Sequence, residues 1–317
     1  MKRVVVTGAA GFLGARLCRR LVADGYEVVG LDDLSTADGA NLAELRSEPA
    51  FDLVVGDVTE PWALSGPVEK VLHLASPASP RDYQRDPVKT LRTAALGTER
   101  ALAFAGTFGA RLVFASTSEV YGDPAVHPQP ESYWGHVNPI GPRSMYDEGK
   151  RYAEALVTAW RGQYRVDAAI ARIFNSYGPG MRSDDGRLVP TFVRQALAGE
   201  PLTVNGDGRQ TRSLCYVDDT VDGLLALAHG AVAGPVNIGN DDERTVCELA
   251  TLIVELSGST SVIERAGAVV DEPRRRCPDL SVATRLLGWR PNVSIEDGLM
   301  RTIDHVRQEE LSCGSSG

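Results

Sequence analysis

A β-branched run, Val4-Val5-Val6-Thr7, breaks directly into Gly8-Ala9-Ala10-Gly11-Phe12-Leu13-Gly14, and residues 15–22 continue with helical periodicity. Strand, tight glycine turn and helix are the elements this order predicts. Glycines at such a turn let the backbone approach a diphosphate, and the free N–H groups and dipole of the helix favour its negative charge. The spacing is Gly-x-x-Gly-x-x-Gly, a departure from the Gly-x-Gly-x-x-Gly fingerprint. A second apolar strand, Glu27 to Leu31, ends at Asp32, eighteen residues after Gly14. An acid there can bond an adenosine ribose and would repel a 2′-phosphate, so NAD is expected rather than NADP. The cofactor would rest on Gly8, Gly11, Phe12, Leu13, Gly14 and Asp32, with Asp57, Val58 and Leu74 at the ends of the next two strands.

Residues 52–58, 70–75, 111–115 and 167–173 read as further apolar strands, with a helix predicted over 144–161. Unbroken apolar runs suit strands buried on both faces, and their alternation with helices implies a doubly wound parallel sheet. The expected class is α/β, with a Rossmann-type sheet over residues 1–178 and a smaller, discontinuous C-terminal lobe. Residues 234–239 read as one more sheet strand, so 213–242 should return to the sheet and leave 179–212 and 243–317 to the substrate-binding lobe. A helix over 188–197 and a hairpin over 202–208 are expected within that lobe.

The 317 residues carry a formal net charge of −9 with no long Lys/Arg cluster, which argues against nucleic acid as a partner. Five cysteines, odd in number and without metal-ligand spacing, suit a reducing compartment and indicate no metal. Met1-Lys2-Arg3 runs straight into a strand, and no apolar stretch reaches the roughly 18 residues of a membrane span. A cytoplasmic protein without a membrane partner is expected.

Tyr146 and Lys150 lie four residues apart within the predicted helix, and so on one face of it. An ammonium beside a phenol can lower its pKa from about 10, letting a tyrosinate take a proton from a substrate hydroxyl near neutral pH. That is alcohol oxidation, with NAD as the matching hydride acceptor.

With Thr117 added to these residues, the chain resembles the extended short-chain dehydrogenase/reductase family, and within it the UDP-glucuronate decarboxylases. The resemblance runs through His73-Leu74-Ala75-Ser76-Pro77, Thr117-Ser118-Glu119-Val120-Tyr121-Gly122-Asp123-Pro124, Tyr146-Asp147-Glu148-Gly149-Lys150-Arg151, Ala171-Arg172-Ile173-Phe174-Asn175 and residues 206–213. It implies that Thr117, Ser118, Glu119, Tyr146, Lys150 and Arg276 are catalytic and that Tyr146 and Lys150 also face the cofactor. Asn175, Arg187, Arg212, Tyr216 and Arg276 would bind UDP-glucuronate, with Arg182 and Arg209 as further candidates for its diphosphate. Which of Arg274, Arg275 and Arg276 meets the substrate stays open, Arg276 being the carried-over position. A homodimer through the helices of residues 88–106 and 145–160 is also implied.

Related 4,6-dehydratases carry Asp-Glu where this chain has Ser118-Glu119, and a serine beside a carboxylate is a poor acid for expelling a hydroxyl. The resemblance thus implies decarboxylation through a 4-keto intermediate. The alternatives are a UDP-glucuronate 4-epimerase and a non-catalytic NAD-binding sensor; the second would need no Tyr-Lys pair. The family's usual Gly-Pro-Arg-Met is here Gly178-Pro179-Gly180-Met181, and Asn205, Pro190 and Thr191 also depart from the pattern. These lie in the nucleotide-binding lobe and leave the base open between uridine and thymidine.

Overall fold

A computed structural model describes residues 2–37, 39–267 and 273–314. The opening motif forms β1 (Arg3–Thr7) and α1 (Phe12–Ala23), followed by β2 (Glu27–Asp32), β3 (Phe51–Val55) and β4 (Lys70–His73). Then come α2 (Pro80–Arg85), α3 (Pro87–Arg92), α4 (Thr98–Phe108), β5 (Arg111–Thr117), α5 (Ser144–Tyr164), β6 (Ala168–Ile173) and β7 (Ser176–Tyr177). The remainder is α6 (Leu188–Leu197), β8 (Leu202–Asn205), β9 (Thr211–Ser213), β10 (Cys215–Tyr216), α7 (Val217–His229), β11 (Val236–Ile238), β12 (Glu243–Thr245), α8 (Val246–Ser257), β13 (Ile263–Ala266), α9 (Ser281–Leu287) and α10 (Ile295–Gly314).

Seven strands form one parallel sheet in the order β11-β6-β5-β4-β1-β2-β3. Strand order reverses between β1 and β4, the place where α/β sheets open a ligand crevice at their carboxyl ends. Thr7 lies in register with Leu31 on one side and His73 on the other, so the ends of β1, β2 and β4 present their following loops along one edge. Side-chain alternation explains why the middle of β1 is apolar on both faces: Val4 and Val6 pack toward α1 and α7, while Val5 packs with Leu102 of α4 and Val157 of α5.

A separate apolar cluster joins Phe192 and Val193 of α6, Leu249 and Ile253 of α8 and Leu299 of α10, and forms the core of the smaller lobe. The expected hairpin at 202–208 does not form. β8 instead pairs in parallel with β13, and β9 pairs antiparallel with β12. Asn205-Gly206 has the composition of a hairpin turn, but positive φ at Gly206 and Gly208 carries the chain away to a partner some thirty residues later.

Candidate active site

The carboxyl ends of the sheet strands and the smaller lobe enclose a cleft of about 400 Å³. At one end the glycine turn is sterically committed. Gly8 has φ +70°, and a Cβ there would lie 2.8 Å from the Ala75 nitrogen; at Gly14 it would lie 1.9 Å from the Gly8 carbonyl oxygen. Only glycine therefore lets α1 start this close to the end of β1. Phe12 and Leu13 of its first turn, whose N–H groups have no acceptor within the helix, line the cleft beside Gly11. Asp32 accepts the Ala10 N–H at 2.9 Å and the Leu34 N–H at 2.8 Å. Burial raises its pKa, against the pull of those two donors. Asp57, Val58 and Leu74 complete this wall, with Asp57 Oδ1 held by the backbone and hydroxyl of Thr59, each at 2.9 Å. A dinucleotide fits this donor set, with a helix N-terminus for its diphosphate and a fixed carboxylate for a ribose.

At the other end, Thr117 closes β5 and its hydroxyl accepts the Glu119 N–H at 3.2 Å, capping a 3₁₀ turn over Ser118–Tyr121. That cap turns the buried Ser118 and Glu119 onto the cleft wall. Arg276 donates Nη1 to Glu119 Oε1 at 2.6 Å and Nη2 to Oε2 at 2.7 Å, a bidentate pair. Arg143, just before α5, donates a further bond to Oε1 at 2.6 Å. Burial pushes the Glu119 carboxyl up, but Arg276 and Arg143 outweigh it and hold the group well below the usual carboxylate range.

Tyr146 and Lys150 project from the same face of α5 into the cleft, with Nζ 5.9 Å from the phenol ring centre. Nζ donates to the Ala115 carbonyl at 2.8 Å. Tyr83 stacks on Tyr146 with ring centres 5.1 Å apart and planes 10° from parallel. The electrostatics correct the simple expectation that Lys150 lowers the phenol. Burial pushes Tyr146 up to about 12, partly opposed by a hydrogen bond with Thr117, and burial brings Lys150 down to about 7. Burial thus disfavours both the phenolate and the ammonium.

Every cofactor position read from the sequence lines this cleft, as do Asn175, Arg187, Arg212 and Arg276. Arg187 is braced by Asp185, at 2.7 Å through Nε, and Arg212 donates to the Pro273 carbonyl at 2.9 Å. Of the three consecutive arginines, Arg276 is the one that lines the cleft. Arg274 pairs with Asp123 and Arg275 with Glu243, both side chains more than half exposed. Tyr216 is not among the residues that line the cleft. It packs edge-on to Tyr177 in the core of the smaller lobe, with the Arg301 guanidinium 5.6 Å from its ring centre. Arg209 also points away and is almost fully exposed.

Arg143 is the residue that sequence reasoning missed. Its signal was its position three residues before Tyr146, one turn back on the face that carries the tyrosine.

A dinucleotide turn and a Tyr-Lys pair opening on one cleft are the arrangement of a short-chain dehydrogenase/reductase. The family model for the NAD dependent epimerase/dehydratase family matches residues 4–239, and the chain belongs to that family. It is 49% identical to UDP-glucuronic acid decarboxylase 1 of Xenopus tropicalis over 97% of this chain and 73% of that one. Among solved structures, a dTDP-glucose 4,6-dehydratase from Streptomyces venezuelae with NAD bound superposes with a TM-score of 0.88 at 31% identity, covering 98% of each chain. A UDP-glucuronic acid 4-epimerase from Bacillus cereus, in complex with UDP-glucuronic acid and NAD, gives 0.85 at 27% identity over 97% of this chain and 99% of that one.

Proposed function

We propose that this chain is an NAD-dependent enzyme that decarboxylates UDP-glucuronate to UDP-xylose through a 4-keto intermediate and recycles its cofactor within the site. The observation that carries this reading is Glu119 held by Arg276 and Arg143 on the wall shared with Tyr146, with Ser118 where a dehydratase needs an acid. The 49% identity to a curated decarboxylase over nearly the whole chain supports it.

When bound, NAD⁺ supplies the hydride acceptor and a positive charge near the phenol. Tyr146 takes the proton of the C4 hydroxyl as C4 is oxidised, with Thr117 as hydrogen-bond partner and Lys150 behind it. The resulting ketone lies β to the C6 carboxylate. The C5–C6 bond then breaks, carbon dioxide leaves, and the electron pair moves into the C4 carbonyl. Tyr146 and Thr117 stabilise that oxyanion by hydrogen bonding. C5 regains a proton and C4 regains hydride, leaving the pentose. Arg276 and Arg143 are the cations available to a substrate carboxylate, which would share them with Glu119. Ser118 adds no like charge beside it. Arg187, Arg212 and Asn175 face the same cleft and suit the diphosphate end.

A homodimer and a reducing, cytoplasmic setting belong to the same proposal. Val88 and Leu91 of α3, Leu96 in the turn between α3 and α4, and Tyr152 of α5 are exposed on the segments expected to meet a second copy. Cys18, Cys215, Cys247 and Cys277 are free thiols.

The test is incubation of the purified protein with UDP-glucuronate labelled at C6, with its thymidine counterpart in parallel. Released label and a nucleotide-linked pentose are expected. Retained label with an isomeric uronate would overturn decarboxylation in favour of 4-epimerisation.

A further inference from the structure

Two loops from opposite walls of the cleft meet over its cofactor end. One follows β2 and supplies Ser35, Thr36 and Asn41; the other, from the smaller lobe, supplies Gly180 and Arg182, and all five line the cleft with Asp32 and Gly11. Asn41 Nδ2 donates to the Gly180 carbonyl at 3.0 Å. Arg182 Nη1 donates to the Thr36 carbonyl, while Nη2 pairs with the buried Asp82 at 3.2 Å. Outside these contacts Arg81 reaches Asp184 at 2.7 Å, and Arg85 donates to the Ser35 carbonyl at 3.1 Å.

Gly180, where the family pattern has arginine, belongs to this arrangement. Its φ is +91°, and a Cβ there would lie 3.0 Å from Asn41 Oδ1. A side chain at 180 would strain the backbone and crowd the asparagine. The guanidinium sits two positions later, at Arg182, where it reaches across to Thr36. One loop thus gives up a side chain so that the opposite loop can dock on its backbone.

We propose that Asn41 and Arg182 form an interlobe clasp that retains NAD between turnovers, so that the cofactor leaves only when both bridges open while substrate exchanges at the Arg187–Arg276 end. The inference rests on the NAD-binding reading of the same cleft. A reaction that returns its hydride in every cycle needs no cofactor exchange, and a closed cofactor end is compatible with that chemistry.

The test loads the protein with isotope-labelled NAD, adds an excess of unlabelled NAD without any sugar nucleotide, and follows bound label by mass spectrometry. Asn41→Ala and Arg182→Ala should each release NAD about ten-fold faster than the parent, each having lost an interlobe hydrogen bond. Arg182→Lys should recover part of the retention, because an ammonium can still meet Asp82 and the Thr36 carbonyl. Gly180→Ala should also speed release, and it provides a second route to the same readout if an Asn41 variant folds poorly. Parent-like release in Asn41→Ala, Arg182→Ala and Gly180→Ala would overturn the clasp, even where their melting temperatures fall. Because no sugar nucleotide is present, this outcome is separate from whether carbon dioxide is ever released.

Discussion

Arg276 and Glu119 are 157 positions apart in the chain, yet they meet through two parallel hydrogen bonds at 2.6 and 2.7 Å on the cleft wall. The pair ties the segment before α9 to the end of β5, on the wall that also carries Tyr146. Its charges satisfy one another.

Removing Glu119 leaves Arg276 as an uncompensated buried charge, for which a cost of about 3–5 kcal/mol is typical, whereas removing Arg276 leaves Glu119 paired with Arg143 and should cost less. Arg276→Ala and Glu119→Ala should therefore both show a lowered urea midpoint, and the double variant less than the sum of the two. Glu119 titrates below its ordinary value in the folded state. Its stabilisation is fully present above the unfolded carboxylate pKa of about 4.3 and is lost as pH falls through the folded value. Additive losses in the double variant would show that the two side chains do not act as a pair.

Tyr146→Phe keeps the ring stacked on Tyr83 and removes only the hydroxyl. Release of labelled carbon dioxide should fall by about 10²–10⁴-fold, the usual worth of a positioned general base, with near-parent thermal stability. Turnover within a few-fold of the parent would remove Tyr146 from the mechanism.

Much of the fold is legible because its signals are local. The β-branched run of β1, the glycines after it and the acid that ends β2 each depend on neighbours within one strand–turn–helix unit. The site is legible only in part. Arg276 and Glu119 could be named by resemblance, but nothing near Glu119 in sequence announces Arg143, whose role depends on how α5 abuts the 3₁₀ turn. Tyr216 lies off the cleft lining for a related reason. A tyrosine at a strand end looks the same whether it faces a cleft or a core, and here the smaller lobe closes over it. The Asn41–Gly180 contact spans 139 positions and has no local signature beyond an unexpected glycine.

Gly14→Ala should abolish NAD binding or folding outright. The added carbon would lie 1.9 Å from the Gly8 carbonyl oxygen and 2.9 Å from the Ala9 Cα, both rigid backbone. The contrasting variant is Gly109→Ala: nothing beyond its own chain neighbours lies within 4 Å of the added Cβ, and the positive φ of 63° is what opposes it. Its expected penalty is about 1 kcal/mol, with NAD binding retained. Equal NAD affinity in both variants, measured by calorimetry, would show that close approach at Gly14 is not what fixes the turn.

Asp147 gives a pH test of opposite sign to Glu119. It sits in the first turn of α5 beside Tyr146, buried, with Oδ1 lacking a hydrogen-bond partner. Burial raises its pKa and the nearby charge of Glu119 raises it further, while Arg143 and Arg276 pull the other way. Above the ordinary aspartate value of about 3.9, the unfolded chain releases this proton while the folded protein still holds it. The folded state then binds more protons than the unfolded one, so stability falls as pH rises through that window. Asn in place of Asp cannot ionise, and it escapes this loss. The melting temperature of Asp147→Asn should therefore gain on the parent as pH is raised from 4 toward neutrality, and a difference that stays constant across that range would mean that Asp147 is ionised throughout and balanced by its arginine neighbours.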